Sequence, residues 1–237
     1  MQSNNTPTGG YNWLHWIAST PVSPDSGNNV TAHNYAVSGA VTSQTIAPLH
    51  LLVPGKTIPD SIDCIYTALD ELYAAGARYF ILMNIPPMQL APLYAPPERG
   101  GVGETWAWPD KPENITRVSG RMGQLVTMWN EVLKYRTGFE VLVKKSWEGS
   151  RVGVMDVYGL MMHIYNNPTE HLAAPANVTG YINHCNVDTS ECHRLENPES
   201  FMWFDYSHPS ERTERIIAQQ FLDVVRGESE WATYFTS

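Results

Sequence analysis

The sequence predicts an α/β fold, built as a three-layer α/β/α sandwich around a mainly parallel sheet. Amphipathic helical segments alternate with short apolar runs, each long enough for one strand that is covered on both faces. The 237 residues, of which 43% are hydrophobic and 16% charged, suit one globular domain over 1–237 with a sizeable core. We therefore expect a single domain.

The N-terminal part of the sandwich is predicted to be incomplete. A short aromatic helix around Trp16 is followed by alternating apolar residues near Val37, which predict a strand leading into a small-residue turn at Gly39. A parallel sheet then needs a crossover of about a dozen residues before its next strand. The sequence near 47–53 offers no such crossover helix, so a segment of the usual alternation is missing there.

The alternation resumes with a helix and a buried strand. Asp60, after Pro59, is the expected N-cap, and Gly76 is well placed to end the helix. The continuous apolar run through Met83 predicts a strand covered on both faces. The apolar face of the helix is predicted to comprise Ile62, Ile65, Leu69, Leu72 and Tyr73.

A proline-rich loop separates this strand from the next helix. The segment 85–112 carries seven prolines together with Trp106 and Trp108, and it is too long to be a mere connector. We expect a packing loop stiffened by proline. The alternative is a cap that lines the site and offers ring faces to a sugar.

The second half repeats the alternation of helix and strand. A long amphipathic helix is predicted from Val118 to Leu133, with Gly138 placed to interrupt it, and a strand follows over 152–157 with Val157 at its end. Asp156 is expected to be structural, although it could face the crevice where α/β sheets bind ligands. The last helix is predicted to bury Ile216, Ile217, Phe221, Val224 and Val225.

Charge and apolar patterning restrict the partners. The formal net charge is -9 and lysine and arginine form no cluster, which disfavours nucleic acid and anionic membrane surfaces. A neutral small molecule or oligosaccharide fits better, and we expect a monomer. No apolar run is long enough to span a bilayer, and the residues after Met1 have neither the basic start nor the apolar core of a signal peptide.

Other features nevertheless predict a secreted protein. Cys185 and Cys192 close a short loop that would form a disulfide in an oxidising compartment, whereas Cys64 has no obvious mate. The alternative for the loop is a zinc site that adds His184 and His193, although its spacing matches no common zinc pattern. Four glycosylation sequons lie in loop-like stretches, at Asn4, Asn29, Asn114 and Asn177.

The strongest chemical signal is the spacing of Asp205 and His208. An aspartate three residues before a histidine can place its carboxylate beside imidazole Nδ1 and leave Nε2 for a nucleophile. Apolar residues 201–204 precede the pair and a helix start at 209–211 follows it, which indicates that the pair is held in position. The alternative is a surface aspartate and histidine at a polar helix start.

This block resembles the D-x-x-H-P block of the SGNH/GDSL hydrolase superfamily. With N-Y-A-V-S-G-A, G-K-T-I-P-D and G-A-R-Y-F-I-L-M-N-I-P-P, the chain from about Gly10 to Val225 is similar to the fungal branch of carbohydrate esterase family 16, which deacetylates small acetylated sugars and plant polysaccharides. The resemblance implies that Asp205 orients, His208 is the base and the Gly39 N–H serves the oxyanion. It implies no cofactor and no metal.

The family's nucleophile motif is missing from this sequence. There is no G-D-S and no G-x-N-D, and the nearest serine, Ser38, lacks the first glycine of a G-x-S-x-G elbow. Two hypotheses follow. The chain is either an incomplete acetylesterase, inactive as written, or a non-catalytic relative that keeps a carbohydrate-binding surface.

Overall fold

The computed structural model describes residues 15–17, 57–112 and 115–237. The strand predicted at Val37, the turn at Gly39 and the serine at Ser38 lie outside these residues. So do three of the four predicted glycosylation sites, Asn4, Asn29 and Asn114.

Within the described residues the elements follow one another from helix to strand. The helices are α1 (Ile58–Ala74), α2 (Ile115–Gly138), α3 (Val157–Asn166), α4 (Pro168–His171) and α5 (Glu211–Arg226). The strands are β1 (Tyr79–Met83), β2 (Arg151–Met155), β3 (Asn177–Tyr181), β4 (Asn183–Cys185), β5 (Cys192–Arg194), β6 (Phe201–Trp203) and β7 (Ala232–Thr236).

Three strands form the central sheet, in the order β1-β2-β7. β1 and β2 run parallel, with Tyr79 opposite Arg151 and Met83 opposite Met155. β7 pairs with β2 in the antiparallel direction. The prediction of strand structure at Met83 is confirmed, whereas the sequence pattern gave no sign of β7.

Helices cover both faces of this sheet. On one face Phe80, Leu82, Val152 and Val154 pack against α1 and the C-terminal half of α2. On the other face Met155 belongs to the cluster formed by α3 and α5, and Val224 of α5 lies against Gly153. The described residues therefore form an α/β fold with the three layers that the sequence predicts.

Helix α1 begins one turn earlier than its predicted cap. Thr57 is the N-cap, and Asp60 stands at the third helical position, where its carboxylate accepts a hydrogen bond from the Thr57 N–H at 2.6 Å. Asp60 is therefore the reciprocal partner in a capping box. The prediction for Gly76 is confirmed. It directly follows Ala75, the C-cap of α1, and its φ of 103° is a backbone conformation that favours glycine.

One residue of the predicted apolar face of α1 is exposed. Ile62 and Leu69 are buried, but Leu72 is 52% exposed. The buried stripe is centred on Ile62, Tyr66 and Leu69, and Leu72 lies at its edge. The prediction for Leu72 is wrong for that reason.

The predicted strand over 152–157 is too long. β2 ends at Met155, and Val157 is the first residue of α3. Asp156 stops the strand because it caps the helix: its Oδ1 accepts a hydrogen bond from the Gly159 N–H at 2.8 Å. Asp156 therefore has the structural role that was expected of it.

Helix α2 changes its winding at Gly138. The α-helical pattern stops there, as predicted, but the chain continues as a π-helical turn, Phe139–Val143. Tyr135, Phe139, Leu142 and Val143 are each at least half exposed along this segment. Across the described parts of the chain, no helix combines the length and the apolar character that a bilayer crossing requires.

Candidate active site

The segment that carries Asp205 and His208 is a closed loop that rises from the core. β6 supplies its base, because Met202 and Trp203 are buried and the Trp203 Nε1–H donates to the carbonyl of Val178 at 3.0 Å. The chain then turns back on itself. The Phe204 N–H donates to the His208 carbonyl at 2.8 Å, and the Ser210 N–H donates to the Met202 carbonyl at 2.9 Å.

Inside this loop the Asp205 carboxylate organises the turn and faces the imidazole. Its Oδ1 accepts hydrogen bonds from the backbone N–H groups of Ser207 and His208, both at 2.8 Å. His208 Nδ1 lies 2.8 Å from Oδ2 and 3.0 Å from Oδ1. The hydrogen-bond contact predicted from the D-x-x-H spacing is therefore present.

The two side chains differ in exposure, and each shifts the pKa of the other. The Asp205 side chain is 15% exposed and that of His208 is 49% exposed. The hydrogen bond to Asp205 raises the pKa of His208, and the negative charges of Asp205 and Glu214 add to this against the effect of burial. Burial alone would raise the pKa of Asp205, but its bonds to His208 and the loop N–H groups outweigh burial and lower it.

Helix α5 follows directly and fixes the far end of the loop. Ser210 is its N-cap, with Oγ accepting a hydrogen bond from the Thr213 N–H at 3.1 Å. Thr213 Oγ1 in turn donates to the Met202 carbonyl at 2.9 Å. The helix start predicted after His208 is confirmed. Ser210 and Thr213 both donate hydrogen bonds to the Met202 carbonyl, which connects the start of α5 to β6.

The proline-rich loop adjoins the site. The Leu93 N–H donates to the Tyr206 carbonyl at 2.7 Å, next to Asp205. Residues 90–95 are buried, with Leu90 and Tyr94 in the main core cluster. Trp106 is 67% exposed. The loop therefore packs, as expected, and is hydrogen-bonded to the Asp205 turn.

A disulfide-closed hairpin also adjoins the Asp205 loop. β4 and β5 pair through His184 opposite His193 and Cys185 opposite Cys192, and the two cysteines form the predicted disulfide. The zinc alternative is therefore wrong, because neither sulfur is free to be a thiolate ligand. Cys64 remains a free, half-buried thiol.

The hairpin is joined to the Asp205 loop and carries a row of stacked rings. The Asn183 N–H donates to the Phe204 carbonyl at 2.7 Å. The ring of Tyr181 stacks on that of His184 with centroids 4.0 Å apart, and His184 stacks on His193 at 5.2 Å. Burial and then the charge of Asp205 raise the pKa of Tyr181.

A polar cluster lies at the carboxyl edge of the sheet, of which the sequence singled out Asp156 but not Asn84. Asn84, directly after β1, donates from Nδ2 to Asp156 Oδ1 at 2.7 Å and accepts from the Tyr158 N–H at 2.9 Å. A cavity of about 330 Å³ opens beside it, with Glu131 and Lys134 among its lining residues. The sequence signal for Asn84 is its position directly after an apolar strand, because α/β sheets bind ligands at the carboxyl ends of their strands.

Asn177 and Gly39 are the two other predicted site positions. Asn177 lies at the start of β3, where its side-chain oxygen accepts from the N–H groups of Thr179 and Gly180 at 3.1 and 2.7 Å. Glycosylation there stays a prediction. Gly39, the predicted oxyanion donor, is not among the described residues, so its approach to His208 stays a prediction as well.

The α/β sandwich and the aspartate–histidine contact just before its last helix agree with the SGNH-type arrangement that the sequence predicts. Sequence comparison agrees. The chain is 39% identical over 187 residues, 77% of its length, to a protein named acetylesterase from Hypocrea jecorina, of which it covers 53%.

Two relatives from Arabidopsis thaliana are more distant. One GDSL esterase/lipase is 27% identical over 168 residues, covering 67% of this chain and 41% of that protein. GDSL esterase/lipase EXL5 is 22% identical over 216 residues, covering 89% of this chain and 51% of that protein. No family model matches.

The chain belongs to the SGNH/GDSL hydrolase superfamily, a family of ester hydrolases. It spans about half the length of the curated relatives it matches.

Proposed function

We propose that this chain supplies the base half of a GDSL-type ester hydrolase, with Asp205 as the orienting carboxylate and His208 as the general base. The observation that carries the proposal is the contact between His208 Nδ1 and the Asp205 carboxylate at 2.8 Å. With Nδ1 held there, Nε2 is the ring nitrogen that accepts the proton of an attacking serine and later returns it to the leaving alcohol.

The pKa shifts support these roles. The nearby carboxylate stabilises the imidazolium that forms when the serine is deprotonated, which is the purpose of the acid in a Ser-His-Asp triad. The pKa of Asp205 is lowered, so that group stays ionised while His208 gains and loses its proton. The loop hydrogen bonds hold this arrangement before any substrate arrives.

The proposed substrates are acetyl esters of small sugars or plant cell-wall oligosaccharides. Three observations support them. They are the named acetylesterase relative, the negative net charge, which suits a neutral ligand, and the stacked rings of Tyr181, His184 and His193 in the segment that Asn183 joins to the Asp205 loop. The disulfide agrees with a secreted protein, and Asn177 is the proposed glycan site among the described residues.

We further propose that the 237-residue chain, which contains no G-D-S and no G-x-N-D, has activity near background. Without a serine the covalent route is lost, and the remaining groups of a triad enzyme retain about 10³-fold over water. The family's serine N–H and block asparagine would be missing too, and each oxyanion donor contributes about 3 kcal/mol. Gly39 alone would be left to serve the oxyanion.

The test compares the chain as it stands with a chain to which both motifs are restored. We expect the 237-residue chain neither to hydrolyse an activated aryl acetate nor to react with a serine-directed fluorophosphonate. The restored chain should do both. His208→Ala in the restored chain should lower kcat by about 10⁴-fold or more.

A matched variant controls for general damage. Asp223 pairs with Arg226 on α5, away from the proposed base. In the restored chain we expect Asp223→Asn to keep the esterase activity that Asp205→Asn loses. If Asp205→Asn and Asp223→Asn behave alike, the proposed orienting role is wrong. Stoichiometric labelling of the unrestored chain would reveal a nucleophile within it, and Ser38 would be the first residue to replace.

A further inference from the structure

A second group of polar side chains lies where α3 meets α4. His163 is in the last turn of α3, and Glu170 and His171 belong to α4, which begins after the turn at Asn167. One donor atom from each of these three side chains lies within 4.8 Å of the other two. None of the three belongs to the Asp205–His208 loop.

One of these donors has an unmet requirement. Nε2 of His171 is buried and makes no hydrogen bond, although the ring of His163 is only 5.0 Å away between centroids. The two rings meet edge to face, which does not align a donor with an acceptor. A buried polar atom without a partner is unfavourable, and a bound metal ion is one partner that removes this cost.

We propose that His163, Glu170 and His171 form a binding site for a divalent transition-metal ion of the zinc type. Two imidazole nitrogens and one carboxylate oxygen are a common zinc donor set, and they leave a fourth position for water. Metal–ligand distances of about 2.0–2.1 Å place tetrahedral donors about 3.4 Å apart. The donors therefore close in by side-chain rotation, for which Glu170, the exposed member of the three, has the most room.

The local electrostatics define how strongly the site binds. The C-terminal end of α3 carries a partial negative charge that favours a cation, and Glu170 adds a full one. Arg212 opposes them: its Nε donates to the His171 carbonyl at 2.7 Å, and its charge disfavours a second cation. The site is accordingly weaker than a structural zinc site with four protein ligands.

Asn167 is the outer contact of the site. Its Nδ2 lies 3.3 Å from His163 Nδ1 and donates to the His163 carbonyl at 3.0 Å. Metal binding through Nε2 of His163 needs the ring proton on Nδ1, so the contact between Asn167 Nδ2 and Nδ1 is given up when the ion binds there.

The experiment is a calorimetric titration of the metal-free 237-residue chain with Zn²⁺. We expect one site, and His163→Gln and His171→Gln should each weaken it roughly tenfold or more. His184→Gln is the matched control, because it removes a part-buried histidine from the hairpin and should leave this affinity unchanged. Circular dichroism in EDTA shows that each variant is folded before titration.

A spectroscopic readout locates the ion. The ring of Trp231 lies 5.5 Å from that of His163 between centroids, so Cu²⁺ bound at the site should quench Trp231 fluorescence. Trp231→Phe should remove the quenched component and keep the calorimetric site. Equal Zn²⁺ affinity in the wild type and in His171→Gln would overturn the proposal, as would the absence of any Zn²⁺ binding or loss of the site in His184→Gln alone.

Discussion

His208 and His171 both lie beside the amino end of α5, and the structure gives them opposite environments. His208 faces a carboxylate within a loop closed by backbone hydrogen bonds, and its pKa is raised. His171 has a buried Nε2 with no partner, and burial and then the charge of His163 lower its pKa. The two histidines lie in similar positions relative to α5. The surroundings of their ring nitrogens, a carboxylate for His208 and a buried site without a partner for His171, therefore account for the opposite pKa shifts.

The largest loss of stability is expected from a substitution at the base of the His208 loop, which holds His208 in its environment. Trp203 is buried to 1% exposure, and its side chain bonds to the Val178 carbonyl. Trp203→Ala should lower the free energy of unfolding by about 3–5 kcal/mol, because it opens a cavity and frees a buried carbonyl. Urea unfolding measures this loss.

Trp106 provides the matched control. The same replacement at this exposed tryptophan should change the free energy of unfolding by less than about 0.5 kcal/mol. Similar losses at both positions would contradict the role assigned to Trp203 under the loop.

A smaller effect is expected where the loop joins α5. Ser210→Ala removes the N-cap acceptor of the Thr213 N–H and should cost about 1 kcal/mol. Ser207→Ala, in the same loop but without a capping role, should stay within about 0.5 kcal/mol. Thermal unfolding of the two variants side by side checks this order. A larger loss of stability in Ser207→Ala than in Ser210→Ala would contradict the assignment of Ser210 as the residue that joins the loop to α5.

The smallest expected effect is on the pH dependence of stability, to which His208 and His171 contribute with opposite sign. A raised folded-state pKa means that His208 adds stability below its unfolded pKa of about 6.5 and loses this contribution as pH rises through the folded value. His171 does the reverse, because a lowered pKa makes its protonation destabilise the fold. On acidification from about pH 8 to about pH 6, the two histidines therefore act in opposite directions.

Two variants separate these contributions in urea unfolding across that pH range. Asp205→Asn keeps an oxygen for the loop N–H groups but removes the charge, so the variant should lose stability more steeply than the wild type on acidification. His171→Gln should lose it less steeply. If both variants follow the wild-type slope, the two environments do not differ as the structure indicates.

What the sequence predicted depended on the distance along the chain between interacting residues. The Asp205–His208 contact, the α5 cap and the disulfide each join residues at most seven positions apart, and a spacing can predict such pairs. Helices α1 and α2 follow from their apolar period. These predictions needed no knowledge of the tertiary fold.

The errors and omissions arise where the deciding contact is subtle or distant. Val157 continues an apolar run, but Asp156 caps a helix there instead of extending the strand. Strand β7 gains its pairing from β2, some eighty residues earlier in the chain, which no local pattern reveals. His163 and His171 meet only because of the turn at Asn167, so their spacing of eight carried no recognisable motif.

The closed loop has a consequence for how a complete site could be assembled. The hydrogen bonds that close the turn, including those of the Asp205 carboxylate, join residues between Met202 and Ser210, and Leu93 and Asn183 attach the loop to its neighbours. The contact between base and carboxylate is therefore made within one short stretch of chain. A separate polypeptide that carried the nucleophile would encounter an imidazole already in place. Fragment complementation would then be limited by docking of the two pieces, with no slow rearrangement of the loop after they meet.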